Sequence, residues 1–63
     1  MFKKYEVLSE AYETMNRFAN ESFCKMLDAE TVEDVIAYSA QHEAFVKAAS
    51  AIHEQIMEVL GQL

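Results

Sequence analysis

Apolar residues recur along the chain with a helical period, in two long stretches. In the second stretch, Val35, Tyr38, His42, Phe45, Ala49, Ile52, Ile56 and Val59 follow at alternating steps of three and four, and His42 alone breaks the apolar series. A repeat near 3.5 residues is the seam of an amphipathic helix that packs against another helix. In the first stretch, Tyr5, Leu8, Tyr12, Met15, Ala19, Ser22 and Met26 repeat in the same way, with Ala11 and Phe18 widening one flank. The polar positions support this reading. Glu13 with Arg17, Glu21 with Lys25, and Glu43 with Lys47 are i,i+4 pairs in the favourable orientation, expected on the solvated side of a helix. The pattern predicts one helix over about 3–27 and a second over about 32–60.

The predicted break is the segment 28–31, Asp28-Ala29-Glu30-Thr31. Thr31 followed by Asp34 resembles a capping box, with Asp in place of the usual Glu or Gln. Glu33 and Asp34 then place negative charge in the first turn, where the helix dipole favours it. Gly61 stands where a left-handed C-terminal cap is expected. A linker this short joins antiparallel helices. In an antiparallel pair the layers join residues whose numbers sum to about 61: Met26 with Val35, Ala19 with His42, Tyr12 with Ala49, Leu8 with Ile52 or His53, and Tyr5 with Ile56.

Composition narrows the fold to the all-α class. The chain has 63 residues, no proline and one glycine, too few turn residues for a small sheet protein. A single all-α domain, an antiparallel helical hairpin, is expected over residues 1–63. A chain of this length buries little of its surface, so small folds add disulfides, metals or self-association. Cys24 is the only cysteine, which excludes an internal disulfide and fits a reducing compartment. Dimerisation into a four-helix bundle is the expected remedy.

Charge is distributed unevenly. The net charge is −6. Residues 1–27 balance Lys3, Lys4, Arg17 and Lys25 against Glu6, Glu10, Glu13 and Glu21, so the deficit lies in residues 28–63, where Lys47 is the only base. Such a surface repels phosphate backbones and disfavours nucleic acid as a partner. The basic, aromatic start from Met1 to Tyr5 lacks the apolar core of a signal peptide. No apolar run approaches the ~20 residues that span a bilayer. A cytoplasmic location is expected.

Beside the main seam of the second helix runs a stripe of one residue type: Ala37, Ala40, Ala44, Ala48 and Ala51. Alanine is a good helix filler, but small residues also let another helix approach, so this stripe is a candidate second packing face. Phe2, Val7, Phe23, Ile36 and Met57 are apolar residues outside both seams, which suggests further buried contact. The candidate interaction residues are therefore Phe23, Ile36, Ala37, Ala40, His42, Ala44, Ala48 and Ala51.

Little in the sequence points to chemistry. His42 and His53 are about three turns apart on one helix, too far to share a metal, and neither HExxH nor ExxH occurs. His42 reads instead as a polar residue in an apolar seam, a position that fixes register or partner. Cys24 has no histidine near it in sequence, as a thiol nucleophile requires. Paired carboxylates and a glycine-rich phosphate loop are both missing. The expectation is a non-enzyme without cofactor or metal.

Phe23-Cys24-Lys25-Met26-Leu27, the turn Asp28-Ala29-Glu30-Thr31-Val32-Glu33-Asp34-Val35 and the Ala-rich helix with Tyr38-Ser39-Ala40-Gln41 resemble the phasin family, the coat proteins of polyhydroxyalkanoate granules. The resemblance runs from Phe18 to Leu60. It implies a non-catalytic coat whose amphipathic faces lie on a lipid-like surface and whose helices self-associate. By length and plan the chain is also similar to the repressor-of-primer family of RNA-binding helical-hairpin dimers, but here the bases of the first helix alternate with Glu6, Glu10, Glu13 and Glu21 and form no stripe. The leading expectation is a small acidic homodimer acting as a protein–protein interaction module, an adaptor or inhibitor of a protein partner. The granule coat is the first alternative and the RNA-binding hairpin the second.

Overall fold

The computed structural model describes residues 3–62 and consists of two helices, α1 (Lys3–Asp28) and α2 (Val32–Gly61), packed side by side in opposite directions. Each begins where the sequence predicts and runs one residue further. Phe2, named above among the apolar residues outside the seams, lies outside the described residues.

Local chemistry explains the turn. Thr31 is extended, with φ −123° and ψ 153°, and its hydroxyl accepts a hydrogen bond from the Asp34 backbone N–H at 3.1 Å. Its carbonyl accepts from Val35 N–H, also at 3.1 Å, which opens the α2 ladder. An N-cap of this kind stabilises a helix by about 1 kcal/mol. Among the described residues the Asp34 carboxylate makes no return bond to the Thr31 backbone. Asp is one methylene shorter than the Glu that completes the reciprocal box.

The other end of α2 corrects an expectation. Gly61 does not form a left-handed cap. No glycine has positive φ, Gly61 is the last helical residue, and Gln62 follows at φ −87°, ψ −8°. The helix closes with a tightened last turn, in which Gln62 N–H donates to the carbonyls of Leu60 and Val59. No left-handed residue is needed to satisfy those carbonyls.

The two seams face each other. Ala19, Ser22, Ala49 and Ile56 are buried, and most other seam residues are half-buried. Small residues at the centre let the backbones approach closely, and the predicted Ala19–His42 layer forms directly. The His42 ring Nδ1 lies 2.8 Å from the Ala19 carbonyl oxygen. Larger side chains meet about one turn out of the expected layers: Tyr12 packs against His53 at 5.7 Å between centroids, and Phe23 against His42 at 5.5 Å. Side chains lean toward the N-terminus of their own helix. In antiparallel helices the two leans converge, so a residue meets a partner beyond the one level with its Cα.

The molecule is a rod, 48 × 14 × 10 Å between Cα atoms, with a radius of gyration of 14.6 Å. A compact domain of this length has a radius near 11 Å. Half of the residues are apolar, yet among the described residues no large side chain is fully buried.

Candidate interaction surface

At 100° per residue, the surface of α2 away from the centre of its seam divides into three strips, one of which shares Val35 and His42 with the seam's edge. The strip from Glu43 through Lys47, Glu54 and Glu58 is charged and exposed, and holds the Lys47–Glu43 ion pair at 3.3 Å. One flank holds the alanine stripe. Ala37, Ala40, Ala44 and Ala51 are exposed and Ala48 is half-buried. The other flank is formed by Val32, Val35, Ser39, His42, Val46, Ser50, His53, Met57 and Leu60. This stripe spans the helix without a charged residue.

Contacts with α1 show which flanks adjoin. Phe23 meets His42 and Tyr12 meets His53 on one side, whereas Phe18 meets Phe45 at 5.4 Å on the other. The α1 stripe beside the uncharged flank is therefore Tyr5, Ser9, Tyr12, Asn16, Asn20, Phe23 and Leu27, also without charge. Together the two stripes make one uncharged face of the hairpin. It carries most of the large apolar side chains left in solvent, among them Leu27 at 67%, Met57 at 54%, Leu60 at 43% and Val46 at 42% exposure.

The candidate residues thus fall into separate groups. Phe23 and His42 touch on the uncharged face. The five alanines line the opposite flank of α2, and Ile36 stands exposed on the outward edge between them. Val46, His53 and Leu60 were not among the candidates, because each falls one step beside the seam. The signal that finds them is the lack of charge along the stripe.

His42 is held firmly. The Ala19 carbonyl can only accept, so the His42 Nδ1 carries the hydrogen and donates it. In that tautomer Nε2 is the acceptor nitrogen. Phe23 packs against the imidazole with the rings tilted by 49°.

The predicted ion pairs of α1 do not form. Among the described residues the Lys47–Glu43 pair is the one salt bridge. Arg17 instead lies 5.5 Å from the Phe18 ring centroid and Lys25 6.0 Å from that of Tyr38. Exposed i,i+4 pairs contribute only a few tenths of a kcal/mol, so a cation–π contact of about 0.5–1 kcal/mol competes successfully.

The concavity beside this surface is open. It measures about 630 Å³, follows the outward side of α1 past Glu13, Arg17 and Cys24, and is lined by α1 alone. One helix cannot surround a ligand as binding pockets do. Cys24 is exposed there. Among the described residues no group of three or more His, Cys, Asp or Glu could hold a metal ion, and no helix is long and apolar enough to cross a membrane.

No protein-family model, curated protein or solved structure matches the chain.

Proposed function

We propose that this chain is a non-catalytic, self-associating interaction module, an acidic helical hairpin that acts as an adaptor or inhibitor of a protein partner. The observation behind this reading is the uncharged face. On a chain of net charge −6, a continuous strip without Asp, Glu, Lys or Arg, apolar at both ends and polar but uncharged between them, is a contact surface bordered by charge. Depletion of charge with retention of aromatics and Met is the compositional mark of interface centres. The acidic edge left outside that contact suits a basic protein surface.

The coat-protein reading drawn from the phasin resemblance assigns the same face to a lipid-like surface. The RNA-binding reading has less support. Arg17 and Lys25 lie by aromatic rings, not in a row that follows phosphates.

Flotation with lipid emulsions, run beside sedimentation, separates these readings. An interaction module stays out of the lipid layer and sediments as an oligomer. A chain that floats with the emulsion and is monomeric in its absence contradicts the proposal and favours the coat.

A further inference from the structure

We infer that the uncharged face is a homodimer interface with one specific register: α2 lies antiparallel on α2 of a second copy, α1 on α1, and the two-fold axis passes between the layers at Val46 and Asn16. The inference rests on the self-association proposed above and adds the face, the axis and the pairing.

The first observation is the residue order along the two stripes. In a two-fold interface, if residue i meets j, then j meets i. With Val46 on the axis, α2 pairs Val32 with Leu60, Val35 with Met57, Ser39 with His53, His42 with Ser50, and Val46 with itself. With Asn16 on the axis, α1 pairs Tyr5 with Leu27, Ser9 with Phe23, Tyr12 with Asn20, and Asn16 with itself. The even spacing follows from the helical period; the chemistry of the pairs does not. Apolar meets apolar at the ends, a small serine meets a ring in three pairs, and amides or hydroxyls face polar partners near the middle. Large against small is how facing layers fill space.

The second observation is that both axes stand at one level. The Ala19–His42 layer, anchored on a backbone carbonyl, sets the register of the helices, with ring contacts leaning up to one turn beyond it, and that register places Asn16 level with Val46 to within about one residue, or 1.5 Å. One axis therefore serves both helices.

The third is the state of His42. Its Nδ1 hydrogen is used by the Ala19 carbonyl, which leaves Nε2 to accept from the Ser50 hydroxyl of the second copy. Placing α1 over α2 of the copy instead would set the Asn16 amide against Val46, and a buried amide without a partner is costly.

Area and charge favour a second copy as the occupant. The face is 48 Å long and two helices wide, about 960 Å² at 10 Å per helix. A stable complex covers about 800 Å² per partner, so whole-face contact suffices. Two chains of charge −6 approach with least repulsion where neither carries charge.

Cysteine cross-linking in a Cys24→Ser background tests the register. Val46→Cys and Asn16→Cys each place a thiol on the axis, Ala44→Cys places one on the alanine flank, and circular dichroism checks that each variant is helical. On oxidation with copper phenanthroline, V46C and N16C are expected to run mostly as covalent dimers on a denaturing gel, and A44C as monomer. Cross-linking of A44C, whether alone or together with the axial variants, overturns the inference. If no variant cross-links while the unmodified chain sediments as a dimer, the register is wrong and self-association stands. If none cross-links and the chain is a monomer, both fall.

Discussion

The two flanks of α2 both lie beside the core, but the uncharged one spans the helix while the alanines run only from Ala37 to Ala51, and they differ in what they expose. The alanine flank presents methyl groups, with little apolar area per residue. The opposite flank presents Val46, Met57 and Leu60, each exposed by 40% or more, and joins an uncharged stripe of α1 through the Phe23–His42 and Tyr12–His53 contacts. Small residues permit close approach, but burial of large apolar groups drives association, at about 25 cal/mol per Å². Regular spacing therefore reveals a helix face, and the exposed area on that face decides whether it is a contact surface.

Substitutions can break this comparison. The largest expected effect is that of Val46→Asp, which would bury two facing carboxylates at the proposed dimer axis. Dimer affinity is expected to fall by about 1,000-fold, measured by sedimentation equilibrium, while Ala44→Asp stays within a few-fold. Equal losses would erase the distinction between the flanks.

Ile56→Ala tests the core apart from either face. Ile56 is buried at 8% exposure, and its truncation is expected to cost about 2–3 kcal/mol in chemical denaturation, at the low end for such changes because the narrow core can relax. A cost below ~0.5 kcal/mol would mean that the seam contributes little.

Thr31→Ala removes the hydroxyl that accepts from Asp34 N–H and is expected to cost about 1 kcal/mol with dimer affinity unchanged, since the turn belongs to neither flank. Gly61→Ala has the smallest effect. A Cβ there meets nothing within 4 Å and φ is not positive, so a gain of up to about 0.5 kcal/mol is expected from helix preference. A loss at that position would restore the left-handed cap.

Much of the hairpin was legible before the structure. The alternating three- and four-residue steps give both helices, Thr31 and Asp34 mark the start of α2, and the Ala19–His42 layer follows from the short turn alone. Besides the ring contacts, which lean about one turn beyond the expected layers, two features were misread for identifiable reasons. Glycine near a helix end reads as a left-handed cap, but the last turn of α2 satisfies its carbonyls through Gln62 N–H. Opposite charges four apart on α1 read as ion pairs, but Arg17 and Lys25 lie by Phe18 and Tyr38. The candidate site was only half legible. The alanine stripe stands out by residue type, whereas the flank with Val46 and Leu60 mixes Val, Ser, His, Met and Leu and shares only its lack of charge. That lack becomes informative once the aromatic contacts show which stripe of α1 lies next to it.

The central claim is that this hairpin completes its burial against a second copy of itself. Sedimentation equilibrium of the unmodified chain at tens of micromolar tests it most directly. The predicted result is a single species at twice the 7.2 kDa of the chain. A fully helical species sedimenting at the monomer mass would contradict it.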